Sequence, residues 1–150
     1  MSAEEKVRTV INAAVEALDP DARVTLADDG EMIRVDIDGP DLGQVIGRHG
    51  NTLDALQHIA YRAASVDRTD MRRVELDAGG WRERRAVELR EIADEAADKA
   101  VEDRESVALP PMSASERRVV HEYLREREDV DTTSEGREPE RRLVVEPLED

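Results

Sequence analysis

Residues 45–57 of the chain read VIGRHGNTLDALQ, and the fold assignment depends on this stretch. Gly47 and Gly50 flank an Arg-His dipeptide. Because glycine has no Cβ, the backbone can turn sharply here and come close to a ligand. The loop leads into a helix for which Asn51 is the predicted N-cap. The free N–H groups of a first helical turn suit an anion such as phosphate, so the stretch predicts a phosphate-binding loop.

Apolar residues around this loop are predicted to form a floor on which nucleic-acid bases lie. They are Val45, Ile46, Leu53, Leu56 and Ile59. A Gly-x-x-Gly pattern alone also fits a tight turn between two helices, so its meaning depends on the neighbouring elements. A nucleotide-binding P-loop is excluded, because the glycines lack a following Gly-Lys-Ser/Thr sequence and no strand precedes them.

The apolar periodicity predicts the elements on both sides of the loop. A helix comes first and a hairpin turning at Asp28-Asp29-Gly30 follows. A short helical turn precedes the loop, and a longer helix and a strand come after it. The predicted bounds are 4–18 for the first helix, 23–27 and 32–37 for the hairpin strands, 41–46 for the helical turn, 51–66 for the long helix and 72–77 for the last strand.

A second set of elements follows the Gly79-Gly80 pair, which is the predicted domain boundary. Ser113 and Glu116 form a capping box at the start of one of its helices. The predicted bounds are 81–103 for a long helix, 106–109 for a short strand, 113–127 for the capped helix, and 130–134 and 142–146 for two final strands. The chain is therefore predicted to be an α+β protein of two small domains, residues 1–79 and 80–150.

The capped helix separates apolar and basic side chains when it is projected at 100° per residue. Its apolar side holds Val119, Val120, Tyr123 and Leu124. The opposite side carries a basic stripe made of Arg117, Arg118, His121 and Arg125. Arg117 and His121 lie one turn apart and can reach the same phosphate. The alternative is an ordinary solvated face in which these cations pair with neighbouring carboxylates.

Charge and composition exclude several classes of function. The formal net charge is −15, yet residues 43–73 hold five basic and three acidic side chains, so the loop lies in the only segment that is not acidic. The chain has no cysteine, its histidines have no metal-ligand spacing, and its serines have no evident His–Asp support. A catalytic site, a cofactor and a metal are therefore not expected. The chain shows no signal peptide or membrane span, which predicts a cytoplasmic protein.

Two local patterns resemble known nucleic-acid-binding domains. The element order with a Gly-x-x-Gly loop between two helices resembles the type II KH domain, whose loop clamps single-stranded nucleic acid. The run PPMSASERRVVH, residues 110–121, resembles the domain family named for its Arg-x-x-x-His motif. A KH domain followed by this domain resembles the bacterial Jag family, also called KhpB or SpoIIIJ-associated proteins. Many members begin with an additional N-terminal domain, which this chain is expected to lack.

The resemblance implies a single-stranded RNA-binding protein, acting as an RNA chaperone or post-transcriptional regulator linked to cell-wall synthesis, cell shape and division. It also implies a hetero-oligomeric partner, a small stand-alone KH protein, and no membrane contact. The implied RNA-binding residues are Ile46, Gly47, Arg48, His49, Gly50, Asn51 and Thr52 in the KH loop, and Arg117, Arg118, His121, Arg125, Arg141 and Arg142 in the second domain.

Two further expectations follow from the composition. The strong net acidity leaves open a different class of function, a protein-interaction adaptor that has lost strong nucleic-acid binding. Aromatic residues are scarce, so a stacking platform is not expected. Trp81, the single tryptophan, is predicted to pack at the domain junction and not against bases.

Overall fold

The computed structural model describes residues 1–66 and 72–149. Its contacts divide the chain into two compact units, Met1–Arg82 and Glu83–Asp150. The elements of the first unit follow the order predicted for a type II KH domain. They are α1 (Ala3–Leu18), β1 (Arg23–Asp28), β2 (Met32–Asp38), α2 (Gly43–Ile46), a 3₁₀ turn (Arg48–Gly50), α3 (Asn51–Ala64) and β3 (Arg73–Ala78).

The sheet of the first unit has the order β1-β2-β3. Strands β1 and β2 are antiparallel, and the Asp29 carboxylate accepts hydrogen bonds from the N–H groups of Glu31 and Met32 in the turn between them. Strand β3 is parallel to β2. Side chains of a strand alternate between the two faces of a sheet, and Ile33, Val35 and Ile37 are all buried. The predicted alternation in this strand is confirmed.

Helices α1 and α3 supply most of the helical side of this core. Val7, Ile11 and Val15 of α1 are buried at helical spacing. Buried residues of α3 begin at Leu53, only three positions after the second glycine of the loop. The loop is therefore attached directly to a helix that the core holds in place.

The second unit follows the predicted order of elements. Helix α4 begins with the last two residues of the first unit and continues through the second. Strand β6 lies between β4 and β5 and is antiparallel to both. The bounds are α4 (Trp81–Asp103), β4 (Val107–Ala108), α5 (Ala114–Leu124), β5 (Val130–Glu135) and β6 (Arg142–Pro147).

Helix α5 is shorter than predicted. It was expected to reach residue 127 but ends at Leu124. The N–H of Arg127 bonds to the carbonyl of Leu124, and its guanidinium forms ion pairs with Asp98 and Asp129, each at 2.9 Å. These bonds turn the chain out of the helix and toward Val130, the first residue of β5.

The predicted capping box of α5 is confirmed, and it does more than cap the helix. The Ser113 side chain accepts from the Glu116 N–H, while the Glu116 carboxylate accepts from the Ser113 N–H at 3.3 Å. Glu116 is almost fully buried and also accepts from Nε of Arg85 on α4. One carboxylate thus satisfies a backbone donor and an arginine at the same time.

Replacing this carboxylate should destabilise the second unit. We expect Glu116→Ala to lower the free energy of unfolding by about 2–3 kcal/mol, because it leaves two donors without their acceptor in a buried position. Urea titration followed by circular dichroism measures the change. Glu122→Ala is the matched control, since Glu122 forms only an exposed i,i+4 pair with Arg118 and should change stability by less than about 0.5 kcal/mol. Equal losses in the two variants would contradict this account.

Candidate nucleic-acid interface

The loop at residues 47–50 has a left-handed backbone at three of its four positions. Gly47 ends α2, where its N–H bonds to the carbonyl of Gly43 at 2.9 Å, and it has φ +72°. His49 has φ +57° and Gly50 has φ +76°. Histidine is one of the few residues with a side chain that adopts this region with any frequency. The Gly50 N–H closes the turn on the carbonyl of Gly47 at 3.3 Å.

Side chains fill the space next to both glycines. A Cβ on Gly47 would collide with the side chain of Thr52 and would lie 3.0 Å from its backbone nitrogen. A Cβ on Gly50 would overlap the indole ring of Trp81. Both positions therefore require glycine for space as well as for φ, and the loop is confined between Thr52 and Trp81.

Residues at the tip of the loop differ in exposure. Arg48 is exposed, and in the part of the chain that the structure describes its side chain has no hydrogen bond or ion pair. His49 is half-buried. The Arg48 guanidinium is consequently available to an anion that approaches the loop.

The prediction that Asn51 caps α3 is wrong. Gly50 takes the N-cap position in the left-handed conformation, and Asn51, with φ −62° and ψ −40°, is already the first helical residue. No side chain among the described residues caps this end of the helix. The N–H groups of the first turn, at Asn51 and Thr52, therefore lie next to the loop with no side-chain acceptor at the cap.

The predicted apolar floor is also largely wrong. Val45, Leu53 and Leu56 are buried in the core of the first unit, where no base can reach them. Ile46 is half-buried and Ile59 is 42% exposed. Helical periodicity placed all five on apolar faces but did not separate the side that faces the sheet from its margin. Of the five residues, Ile46 and Ile59 are accessible to a ligand.

Arg82 anchors the helix that follows the loop, a role that was not predicted from the sequence. Its guanidinium donates to the Asp54 carboxylate at 2.9 Å, to the Leu76 carbonyl at 2.9 Å and to the Gln57 side chain at 3.3 Å. Asp54 lies one turn into α3. An arginine 28 positions from its partner, beyond a predicted domain boundary, gives no sequence signal for this pairing.

Two glycines allow a matched test of the contact between Gly50 and Trp81. Gly50→Ala and Gly30→Ala both place a Cβ on left-handed backbone, which costs about 1–2 kcal/mol. Gly30, with φ +91°, has nothing within 4 Å of that position. We expect Gly50→Ala to cost about 1–3 kcal/mol more than Gly30→Ala because of overpacking against the indole. Denaturant titration measures both variants, and equal stabilities would show that the indole does not confine the loop.

In the second unit, the expectation that Arg117 lies on a solvent-facing stripe is wrong. Arg117 is buried, and its guanidinium donates to the carbonyls of Met112 and Arg141 and pairs with the Glu138 carboxylate. The segments before α5 and before β6 cover this part of the helix, which a projection of the helix alone does not reveal. Arg117 thus ties α5 to the hairpin that joins β5 and β6.

The other cations of α5 remain on the surface. Arg118 is exposed and pairs with Glu122 at 3.0 Å. His121 is exposed, with Nδ1 in hydrogen-bond contact with the hydroxyl of Thr132 on β5. Arg125 is exposed, and its side chain forms no hydrogen bond or ion pair with residues 1–66 or 72–149. These three predicted site residues therefore remain accessible on the surface of the second unit.

The two hairpin arginines have partners within the hairpin. Arg141 is half-buried and donates to the Gly136 carbonyl at 2.8 Å. Arg142 is exposed and pairs with Glu135 across the two strands at 3.3 Å. Surface pairs of this kind contribute little to stability, so a phosphate can replace the carboxylate at small cost.

Ionisation is perturbed at an ion-pair cluster on the second unit. Two hydrogen bonds of 2.9 Å from Arg127 hold the pKa of Asp129 below its usual range. The hydroxyl of Tyr123 donates to Asp94 at 2.8 Å, which raises the pKa of the tyrosine. These groups bind one another and belong to the framework of the unit.

The described residues contain neither a metal-binding cluster nor a membrane-spanning helix. Residues 1–66 and 72–149 have no group of three His, Cys, Asp or Glu side chains that could hold a metal ion. Within the same residues, no helix combines the length and the apolar character that crossing a bilayer requires.

Comparisons with known proteins match both units. The family described as KhpA/KhpB, KH domain matches residues 4–76, and the family of the Arg-x-x-x-His domain matches residues 87–147. The RNA-binding protein KhpB of Clostridium symbiosum is 35% identical over 141 residues, which cover 94% of this chain and 61% of that protein. The protein of the same name from Streptococcus pneumoniae serotype 2 (strain D39) is 35% identical over 94% of this chain and 44% of its own length.

A third relative matches a shorter part of the chain. The RNA-binding protein KhpB of Lactiplantibacillus plantarum is 38% identical over 103 residues, 69% of this chain and 32% of that protein. The chain therefore spans between about a third and three fifths of the length of these curated relatives.

Proposed function

Because the chain belongs to the KhpB family, with a KH domain followed by an Arg-x-x-x-His domain, we propose that it binds single-stranded RNA through the loop at residues 47–50 and through the exposed cations of the second domain. Both domain families bind nucleic acid and are not enzymatic, which agrees with the prediction that the chain has no catalytic site. The observation that carries the proposal is the left-handed loop with Arg48 exposed at its tip.

The loop has the features that a phosphodiester backbone requires. Gly47 and Gly50 present backbone without side chains, so a strand can approach closely. Arg48 supplies a bidentate donor for a phosphate oxygen. Ile46 and Ile59 offer apolar contact to one or two bases beside the loop, while Asn51 and Thr52 lie at the start of α3. This mode contacts the backbone mainly and predicts modest base preference.

For the Arg-x-x-x-His domain we propose a division of roles. Arg118, His121, Arg125 and Arg142 are the exposed residues that contact RNA, and Arg141 supports the hairpin next to them. Arg117, the first residue of the motif, acts from the interior by holding the hairpin against α5. It is a positioning residue in this proposal and does not itself touch phosphate.

Two weak modules on one chain bind the same strand better than either does alone, because linkage raises the effective concentration of the second. We propose that the boundary between these modules falls near residues 79–82. The finer proposals are that the protein acts in the cytoplasm as an RNA chaperone or post-transcriptional regulator, that its targets serve cell-wall synthesis, cell shape and division, and that a small stand-alone KH protein is its partner. Size-exclusion chromatography of the mixed proteins tests that partner.

A charge reversal at the loop tip tests the KH contact. We expect Arg48→Asp with His49→Asp to abolish binding of a fluorescein-labelled single-stranded RNA in anisotropy titrations, since two acids repel phosphate while both glycines remain. Aspartate tolerates the left-handed backbone at position 49. The matched control is Lys6→Asp with Ala13→Asp on α1, which makes the same formal charge change away from the loop and should weaken binding only slightly.

The outcomes distinguish two classes of function. Binding by the wild type that weakens with salt, fails in the loop variant and survives in the control supports the proposal. Equal losses in both variants would mean that net charge alone governs binding. Absence of wild-type binding at low salt, with and without the stand-alone KH protein, would favour a protein-interaction adaptor, the alternative that the net charge of −15 suggests.

A second pair of variants tests the division of roles in the Arg-x-x-x-His domain. Arg117→Ala should lower the free energy of unfolding by roughly 2–4 kcal/mol, because it leaves the buried carbonyls of Met112 and Arg141 without their donor. Arg118→Ala with Arg125→Ala should leave stability nearly unchanged but reduce the salt dependence of RNA binding, by about 0.7 in log–log slope for each phosphate that is no longer neutralised. A stable Arg117→Ala protein with weakened binding would reverse the assignment.

A further inference from the structure

We infer that Trp81 and Arg82, at the start of α4, are positioning residues that hold the KH loop in its binding conformation. This inference deepens the proposed function and rests on it. Both residues belong to the first compact unit, although the sequence places them beyond the predicted domain boundary. They act on the loop and on the helix behind it, and neither needs to touch RNA.

Trp81 supports the loop directly. Its indole packs against the core of the first unit and occupies the space where a side chain of Gly50 would lie. The loop has left-handed backbone at Gly47, His49 and Gly50. Such conformations persist only where the surrounding structure holds them. On the Gly50 side of the loop, the indole is what prevents the backbone from relaxing.

Arg82 holds the helix behind the loop. Its guanidinium joins Asp54 on α3 to the carbonyl of Leu76 on β3. Gln57, one turn further along α3, accepts from both Arg82 and the N–H of Leu76. The first two turns of α3 are thus tied to the sheet by three polar groups, and they carry the backbone donors that we propose for phosphate.

The turn before α4 delivers these two residues to the loop. Gly79 and Gly80 have φ of +56° and +69°. A Cβ on Gly79 would lie 2.8 Å from Leu42, so the chain passes close to the segment that precedes α2. Asp77 accepts from the N–H of Arg82 at 3.2 Å and starts α4 in a fixed position. The Gly-Gly pair therefore returns the chain to the KH unit before α4 continues beyond it.

The test compares Trp81→Ala, Trp81→Phe and Arg82→Gln in the full chain. Val15→Ala is the matched control, because Val15 is buried in the same core but lies on α1, outside the loop. We expect Trp81→Ala and Arg82→Gln to weaken RNA binding by about tenfold because the loop is less preorganised. Phenylalanine should restore most of the affinity at position 81. Val15→Ala should lower stability and leave affinity unchanged when measured well below its unfolding transition.

Hydrogen exchange of the amides at residues 47–50, measured by NMR, supplies a readout that does not need RNA. It should accelerate in Trp81→Ala and Arg82→Gln but not in Val15→Ala. Wild-type affinity retained in folded Trp81→Ala, or an equal loss in Val15→Ala, would overturn the inference. If the wild type binds no RNA, the proposed function fails, and loop exchange alone then decides whether these residues position the loop.

The fluorescence of Trp81 adds a direct signal, because it is the only tryptophan in the chain. RNA that occupies the loop should change its emission in the wild type and should leave the emission of the Arg48→Asp, His49→Asp variant unchanged. An emission that does not respond while anisotropy reports loop-dependent binding would count against the contact between the indole and the loop.

Discussion

The loop between α2 and α3 is stable only because its left-handed backbone is held from two sides. Each left-handed residue with a side chain is unfavourable by about 1–2 kcal/mol relative to right-handed backbone, and here glycine at two of the three positions removes most of that cost. What remains is the tendency of a glycine-rich loop to sample many conformations. Thr52 on one side and Trp81 on the other restrict that sampling, and the exposure of Arg48 depends on their doing so.

This constraint explains why the chain beyond β3 matters to the KH unit. The sheet and the two long helices form a core without any residue after Ala78, apart from Trp81 at its margin. A unit that ended at Gly79 would keep its core but lose both the indole beneath Gly50 and the guanidinium that ties Asp54 to β3. Folding and loop geometry therefore have different minimal lengths of chain, and the difference falls on two residues.

The elements were predictable from sequence because they depend on local rules. Alternation located β2, and the Ser-x-x-Glu pattern located the start of α5. The site was predictable only in part. Gly50, not Asn51, occupies the cap because a left-handed residue precedes the helix. Arg117 is buried because segments distant in sequence cover it, and a helix projection contains no information about what packs against the helix.

The acidity of the chain has a specific consequence for the Arg-x-x-x-His domain. Arg118 and Arg142 already pair with Glu122 and Glu135, so a phosphate that binds them must displace a carboxylate. The exchange replaces one anion with another, and the gain is smaller than for an unpaired cation, although exposed pairs are weak enough to break. Arg48 and Arg125 have no such competitor among the described residues. In a chain with a net charge of −15, these two arginines are therefore where phosphate binding costs least, and one lies in each domain.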